Sequence, residues 1–281
     1  MKTSSKDRFN KLEAKAGFIR RQCLETACSA GRGHLGGAFS CVEILTALFY
    51  GGVLKFSPRE LKNCNRDRFI LSKGHSCLTL YSILADLGFF DKQRLQDYGK
   101  NGSLLGGHPD HHIPGIEVST GSLGHGLGIG CGLALSAKLN RQSFLTVVLL
   151  GDGECCEGSV WEAATFASAQ KLNNLVAIVD NNKVGATTET EKYAGPAPWP
   201  GKWKAFGWDV SEINGHNFKE IFSVLEIIRN RQSEKPLAII ANTVKGKGVS
   251  FMENDFHWHH GIPKDELLEQ ARKELNSFTK I

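Results

Sequence analysis

Two short apolar runs, each followed by polar residues, limit this chain to a small set of folds. Residues 144–150 are apolar with a β-branched middle, and residues 175–179 repeat the pattern further along the chain. Strands that are buried on both faces have this composition. Residues 157–172 carry apolar side chains at helical spacing, so the sequence predicts two parallel strands joined by a helix. Both strands would then end at the same edge of one sheet.

The residues after each strand have the chemistry of a magnesium diphosphate site. A Gly-Asp-Gly sequence around Asp152 follows the first strand, and Asn182 and Val184 follow the second. Mg²⁺ takes oxygen ligands, and these residues offer a carboxylate, an amide oxygen and a backbone carbonyl. Gly153 permits a tight turn, and the N–H groups that open the next helix favour phosphate. An isolated Gly-Asp-Gly is usually a surface turn, but the second strand and Asn182 favour a metal site, in which Ca²⁺ or Mn²⁺ are possible substitutes.

Four histidines lie in separate glycine-flanked loops: His34, His75, His108 and His260. Loops at one edge of a parallel sheet converge, so we expect these histidines to meet. Histidine suits proton transfer to hydroxyl groups because its pKa lies near neutral pH. The choice between His259 and His260 stays open, although the His-Gly-x-Pro context favours His260.

A zinc site is a further interpretation of the segment around Trp258. His257, His259 and His260 surround this residue. Zinc sites usually need four ligands and a rigid second shell, and no cysteine or carboxylate stands at helpful spacing here. We therefore expect no zinc in this segment.

The composition is that of an ordinary globular protein of 281 residues, 41% of them hydrophobic. The pattern favours a single domain over residues 1–281, with a helical lead-in over about residues 1–30. The net charge of +5 is spread along the chain without a basic cluster, so we expect no nucleic-acid partner. No run approaches the ~20 apolar residues of a membrane span, and residues 1–10 lack the apolar stretch of a signal peptide.

Eight cysteines without a Cys-x-x-Cys motif are typical of reduced thiols in a cytoplasmic protein. Cys155 and Cys156 are adjacent and lie beside the proposed metal loop. We expect them to pack at the start of a helix, with a redox role as the alternative.

The rest of the chain alternates in the same way. Apolar patterns predict helices over residues 9–30, 42–50, 76–87, 124–139 and 218–229, and strands over residues 68–72, 208–211 and 236–241. Residues 102–121, 184–203 and 243–260 are expected to be mainly loops. The predicted fold class is α/β, with a parallel sheet and helices on both faces.

The segments around these residues resemble motifs of the transketolase family and occur in the same order. They are Gly31-Arg32-Gly33-His34, Ser72-Lys73-Gly74-His75, Gly107-His108-Pro109, Gly121-Ser122-Leu123 and His260-Gly261-Ile262-Pro263, besides the metal loop. The likeness runs from about residue 18 to residue 263 and implies the thiamine diphosphate-binding fold. A full transketolase continues with a pyrimidine-binding domain and a C-terminal domain, which this sequence lacks. The chain therefore resembles the N-terminal subunit of a split transketolase.

The resemblance implies a reaction and the residues that perform it. A two-carbon ketol group would pass from a ketose phosphate to an aldose phosphate, with thiamine diphosphate and Mg²⁺ as cofactors. His34 and His260 match the pair that exchanges protons with the substrate, and His108 matches the histidine that binds the hydroxyl on the donor's first carbon. The cofactor-binding positions that the resemblance implies are His75, Gly121, Leu123, Gly153, Glu157, Asn182 and His260.

The resemblance also implies a partner, the C-terminal transketolase subunit that carries the pyrimidine-binding domain. Two copies of each chain would form the assembly, and the isolated chain would be inactive. The sugars stay open, with pentose phosphates as the default and sulfonated or branched sugars as alternatives.

Two other functions are weighed against this one. Diphosphate-binding subunits of 2-oxo acid dehydrogenases and decarboxylases share the Gly-Asp-Gly and Asn motif but lack the loops around His75 and His108. A non-catalytic relative on the same fold is opposed by the intact metal ligands and histidines.

Overall fold

A computed structural model describes residues 5–195 and 198–277 of the chain. The strands are β1 (Arg68–Leu71), β2 (Thr146–Gly151), β3 (Leu175–Asn181), β4 (Asp209–Asn214) and β5 (Leu237–Asn242). The helices are α1 (Ser5–Ala30), α2 (Leu35–Ser40), α3 (Val42–Tyr50), α4 (Cys77–Asp86), α5 (Gly126–Leu139), α6 (Gly158–Ala169), α7 (Glu191–Ala194), α8 (Trp199–Ala205), α9 (Phe218–Leu225) and α10 (Asp265–Ser277).

The five strands form one parallel sheet in the order β1-β2-β3-β5-β4. β2 and β3 are buried along their whole length, in agreement with the unbroken apolar composition that predicted them. Their register runs to the pair Gly151 and Asp180, so the two strands end side by side. The predicted α/β fold with a parallel sheet is confirmed.

Helices cover both faces of the sheet and bury two hydrophobic cores. Successive side chains of β2 alternate between these cores, with Val147 and Leu149 in one and Val148 and Leu150 in the other. The predicted helix over residues 9–30 forms as α1, and its Ile19 is fully buried in the first core. α1 is thus an integral part of that core. In the described ranges, no helix combines the length and the apolar character needed to cross a bilayer.

The structure contains helices where the sequence shows no simple period. α2 follows His34 directly and is buried on all sides, so no amphipathic pattern marks it. α7 lies within residues 184–203 and α8 begins there at Trp199, so the loop expected over this segment is interrupted by two short helices. α10 lies in a segment for which the sequence analysis made no prediction, although Leu268, Ala271 and Leu275 have helical spacing and pack in or on the first core.

The glycines of α5 belong to two groups. Gly126 and Gly130 are buried against the sheet, and a Cβ added at Gly130 would lie 2.6 Å from Val148 Cγ2. Gly128 and Gly132 are exposed, with no atom within 4 Å of an added Cβ. The second pair therefore leaves the outer face of α5 open to a close neighbour.

The eight cysteines are all free thiols. Cys155 is buried in the turn that follows β2, whereas Cys156 is exposed. Burial raises the pKa of both thiols, so neither has the thiolate character of a reactive cysteine.

Candidate active site

Asp152 and Asn182 follow the neighbouring strands β2 and β3 and are both buried, with 3% and 5% of their surface exposed. The carboxylate of Asp152 accepts hydrogen bonds from the N–H of Lys183 (2.7 Å) and the hydroxyl of Thr190 (2.9 Å). Oδ1 of Asn182 accepts from the N–H of Val184 at 3.2 Å. The structure thus places Asp152 and Asn182 at neighbouring strand ends, with Asp152 hydrogen-bonded to the backbone between Asn182 and Val184.

Asp152 forms no ion pair with any residue in the described part of the chain, and its partners are N–H and O–H groups. Burial, followed by the nearby carboxylate of Asp180, raises the pKa of Asp152. A buried carboxylate is costly unless it is protonated, paired or bound to a metal. A divalent cation would supply the missing charge, and the all-oxygen set of Asp152, Asn182 and Val184 fits Mg²⁺.

Asp180, in contrast, is neutralised within the chain. Lys73 forms an ion pair with its carboxylate, which also accepts from the hydroxyls of Ser40 (2.6 Å) and Thr243. The two ionic side chains are 1% and 0% exposed. Burial opposes their ionisation, but their mutual attraction prevails, so the pKa of Lys73 is raised and that of Asp180 is lowered. This pair joins the end of β1 to β3.

Lys245 is a second buried lysine that the sequence analysis missed. Its Nζ donates to the carbonyls of Val184 (2.9 Å) and Gly185 (2.5 Å) and lies 2.8 Å from Nδ1 of His259. Burial and the positive charge of Lys73 lower the pKa of Lys245 to about 8. Lys245 therefore lies between the proposed metal loop and the histidine loops, and it adds positive charge where a diphosphate would bind.

Five histidines meet at this edge of the sheet and are named here the histidine cluster: His34, His75, His108, His259 and His260. The ring of His34 is central. Its centroid lies 4.1 Å from that of His260, 5.3 Å from that of His259, 5.5 Å from that of His75 and 6.0 Å from that of His108. The four loop histidines that the sequence analysis selected are therefore brought together.

Burial dominates the acid–base properties of the histidine cluster. It lowers the pKa of His34 to about 4, with smaller effects from the charges of His260 and His108. It lowers the pKa of His259 to about 3, with Lys245 as the next cause, and that of His75 well below its usual range. The pKa of His108 is lowered by burial alone. These four imidazoles are neutral at pH 7 and can accept a proton from a hydroxyl group.

His259 and His260 occupy different depths. His259 is partly buried, contacts Lys245 and lies 5.4 Å from the ring of His75, whereas His260 is exposed beside His34. The assignment of the catalytic position to His260 stays a prediction. The geometry adds His259 as a second candidate, because it lies on the side of Lys245 and the metal loop.

Close backbone approach by glycine positions the inner histidines. Gly33 adopts φ +143°, and a Cβ there would lie 2.9 Å from Leu78 Cδ1, so only glycine lets His34 begin α2 at this place. A Cβ at Gly37 in α2 would lie 3.1 Å from the ring of His75. The small residues of the Gly-Arg-Gly-His-Leu-Gly-Gly segment therefore serve the packing of the cluster.

The remaining predicted cofactor positions surround the cluster unevenly. Gly121 has φ +139° and lies against the ring of His108, with the partly buried Leu123 two residues later. Gly153 begins the turn after Asp152. Thr120, which precedes Gly121, has a buried hydroxyl without a hydrogen-bond partner among the described residues.

Glu157 lies apart from this edge. It is exposed at the start of α6, close to Gly124 and to a groove between α5 and α6 lined by His125, Glu162 and Phe166. A role for Glu157 in cofactor binding stays a prediction, and its position suits contact with a second chain.

A buried glutamate that the sequence analysis did not select organises the turn after β2. Glu154 is 2% exposed and accepts from the N–H groups of Gly124 (2.9 Å) and Gly151 (3.0 Å) and from the hydroxyl of Ser72. It ties the end of β1 and the start of α5 to the metal loop.

A cavity of about 550 Å³ is lined by residues that include Lys183, Thr190 and Trp199. No histidine is among the described residues that line it. We place the chemistry at the histidine cluster, because that is where the titratable groups converge.

Comparison with known proteins gives consistent matches. Residues 13–278 match the family model described as "Transketolase, thiamine diphosphate binding domain". One of the subunits of apulose-4-phosphate transketolase from Phocaeicola vulgatus is 42% identical over 265 residues, which cover 94% of each chain. The 6-deoxy-6-sulfo-D-fructose transketolase subunit SqwG of a Clostridium species is 38% identical, over 94% of this chain and 96% of that protein.

The fold also matches solved structures. The crystal structure of transketolase from Campylobacter jejuni superposes with a TM-score of 0.87 at 30% identity. The match covers 94% of this chain and 42% of the Campylobacter chain, so this chain spans about two-fifths of the length of that protein.

Proposed function

Because this chain belongs to the transketolase family, we propose that it is the cofactor-binding subunit of a two-chain transketolase. The enzyme would transfer a two-carbon ketol group from a ketose phosphate to an aldose phosphate. The observation that carries the proposal is the unpaired buried carboxylate of Asp152 at the same sheet edge as the histidine cluster. The carboxylate would be balanced by a cation, and the histidine cluster can transfer protons.

The chain offers a defined place for the diphosphate and its metal. Asp152, Asn182 and the carbonyl of Val184 would hold Mg²⁺, with Ca²⁺ or Mn²⁺ as substitutes. A carbonyl oxygen has two lone pairs, so Val184 can keep its contact with Lys245 and still bind a cation. Lys245 and the N–H groups at Gly153 would add positive potential toward the phosphates.

The histidine cluster would perform the proton transfers. Thiamine diphosphate, when bound, supplies the electron sink for the carbon–carbon bond changes. His34, together with His260 or His259, would accept and return protons at the substrate's hydroxyl and carbonyl oxygens through imidazole nitrogens. His108 would bind a hydroxyl of the donor, since its loop is held by the Tyr81 hydroxyl, which donates to the His108 carbonyl at 2.7 Å.

A second chain would complete the enzyme. Two relatives of nearly the same length are themselves named as transketolase subunits, which supports a partner that carries the pyrimidine-binding domain. The open outer face of α5, with the exposed side chains of Ile129 and Phe166 nearby, supports a contact with another chain. An assembly of two copies of each chain is the proposed form.

The substrate and setting follow the same reasoning. The names of the two relatives mention apulose 4-phosphate and 6-deoxy-6-sulfo-D-fructose, so the proposed donors include such sugars besides pentose phosphates. The eight free thiols support a reducing, cytoplasmic compartment.

The test is reconstitution. The purified chain, a candidate pyrimidine-domain chain, thiamine diphosphate and Mg²⁺ are mixed and assayed for ketol transfer from xylulose 5-phosphate and for decarboxylation of pyruvate. We expect ketol transfer only when both chains are present. Turnover of pyruvate instead would support a role in a 2-oxo acid dehydrogenase or decarboxylase, and equal cofactor affinity of wild type and Asp152→Ala would support a non-catalytic relative.

A further inference from the structure

We propose that His34, His259 and His260 form a second metal site, distinct from the Asp152 site, which binds a borderline transition ion such as Zn²⁺ or Co²⁺. Each of the three rings offers one nitrogen, and these ligand atoms all lie within 4.8 Å of one another. In a tetrahedral zinc site with Zn–N bonds of about 2.0–2.1 Å, ligand nitrogens are about 3.3 Å apart. Small rotations of the side chains would close the remaining distance.

The immediate environment of the three rings is arranged for a ligand. Nδ1 of His34 is buried and has no hydrogen-bond partner among the residues that the structure describes. Lys245 holds Nδ1 of His259 at 2.8 Å, which orients the ring. His260 is exposed and gives an ion access from solvent.

The donor set selects a different ion from the one proposed at Asp152. Three imidazoles favour zinc, cobalt, nickel and copper, whereas carboxylate, amide and carbonyl oxygens favour magnesium. Three histidines with an open fourth position for water are also an established zinc arrangement. The two sites, although neighbours, would therefore bind different metals from a mixture.

The sequence predicts no zinc around Trp258 on the basis of nearby residues alone. Within residues 257–260 the ligands are too few, and the third ligand comes from His34 at the start of α2. The contact between the two segments is direct, because the rings of His34 and His260 lie 4.1 Å apart. Long-range convergence is what changes the interpretation.

Occupation of the second site would block proton transfer. The ion would take up the nitrogens of His34 and His260, to which the proposed function gives the proton exchanges. Zinc is therefore expected to inhibit ketol transfer in competition with the ketose, and this consequence rests on the proposed function. Binding of the ion to the three histidines does not rest on the proposed function.

The first experiment measures Co²⁺ binding to the isolated full-length chain in saturating Mg²⁺. The exposed thiols Cys64 and Cys156 also bind cobalt, so all proteins carry Cys64→Ser and Cys156→Ser. We expect the visible absorption bands of tetrahedral cobalt at one equivalent, displaced by Zn²⁺. His260→Asn and His259→Asn should each weaken binding at least tenfold, with folding verified by circular dichroism; if either fails to fold, the glutamine variant replaces it.

The matched control is a second cluster of possible ligands, formed by Asp110, His111 and His112 on an exposed loop. His112→Asn should leave the cobalt bands unchanged. Absence of the bands in the parent protein, bands that persist in both His259 and His260 variants, or bands lost in His112→Asn would each overturn the proposal.

The second experiment separates the site from the proposed function. Zn²⁺ added to the reconstituted two-chain enzyme should inhibit ketol transfer, and a chelator should restore the activity. Cobalt binding without ketol transfer in any reconstitution would contradict the proposed function and leave the metal site standing. Ketol transfer without cobalt binding would contradict only the metal site.

Discussion

Two buried aspartates at the same sheet edge differ in how their negative charge is balanced. Asp180 has Lys73 as its partner, whereas Asp152 has only N–H and O–H donors among the described residues. The protein therefore neutralises one carboxylate itself, and the other would need a bound cation to balance its charge. This difference, rather than the Gly-Asp-Gly motif alone, is the strongest local argument for the metal site.

The ion pair of Lys73 and Asp180 makes a prediction about stability. Asp180→Asn leaves a buried ammonium without a counter-charge and should lower the free energy of unfolding by about 3–5 kcal/mol. Urea unfolding with circular dichroism gives this value. Glu60→Gln, an exposed substitution, is the control and should change the free energy by no more than about 0.5 kcal/mol. Similar losses in both variants would contradict the argument.

Glu43 makes a prediction about pH. Arg20 binds its carboxylate through two hydrogen bonds (2.5 and 2.6 Å), and His216 adds a third at 2.8 Å. Although burial opposes ionisation, these partners hold the pKa of Glu43 at about 2, below its usual 4.5. A depressed folded-state pKa gives stability that is present above pH 4.5 and is lost as the pH falls toward 2.

Urea unfolding at two pH values tests this. Between pH 5.5 and pH 3, the wild type should lose about 2 kcal/mol more stability than Glu43→Gln, which has no carboxylate to protonate. Glu60→Gln, an exposed substitution in a short 3-10 turn, should behave as the wild type. Parallel pH profiles for all three proteins would show that the network contributes no pH-dependent stability.

The site residues that the sequence revealed are those whose position follows from strand ends. Asp152 and Asn182 were expected at one edge because parallel strands end there, and both follow neighbouring strands of the sheet. Lys245 and the pairing of Lys73 with Asp180 depend on contacts between distant segments, for which no local pattern exists. His259 was a harder case, since two adjacent histidines share one motif and only the fold separates their depths.

A secondary-structure element was predictable when it is long enough and is buried either on one side or on all sides. β2 and β3 are buried on both faces, and their apolar runs predicted them. α2 is six residues long and fully buried, so it has no amphipathic period to detect. α7 and α8 are short helices in a segment rich in glycine and proline, where local composition favours turns.

The glycines of α5 give a prediction for this element. Gly130→Ala would place a methyl group 2.6 Å from Val148 Cγ2 and should destabilise the chain by about 1–3 kcal/mol. Gly132→Ala adds a methyl group in open space and should stabilise the isolated chain by about 0.5–1 kcal/mol through helix propensity. Thermal and urea unfolding measure both. If the two variants shift stability in the same direction, the division of α5 into a packed and an open face is incorrect.

As a whole molecule, the chain is one layered α/β unit that gathers its polar chemistry at one edge of its sheet. The cores on the two faces fix the strands, and the strands place the metal loop, Lys245 and the histidine cluster side by side. The chain matches about two-fifths of a longer transketolase, and the proposed function assigns it one part of a two-chain enzyme. In that arrangement, this chain would hold the diphosphate and its metal, and a partner would supply the rest of the pocket.

The most direct test of the central claim is a crystal structure of the reconstituted two-chain complex grown with thiamine diphosphate and Mn²⁺, with anomalous scattering used to locate the manganese. We predict one strong anomalous peak within coordination distance of Asp152, Asn182 and the Val184 carbonyl, in contact with the diphosphate. A peak elsewhere, or a bound diphosphate with Asp152 and Asn182 turned away from each other and no ion between them, would contradict the account.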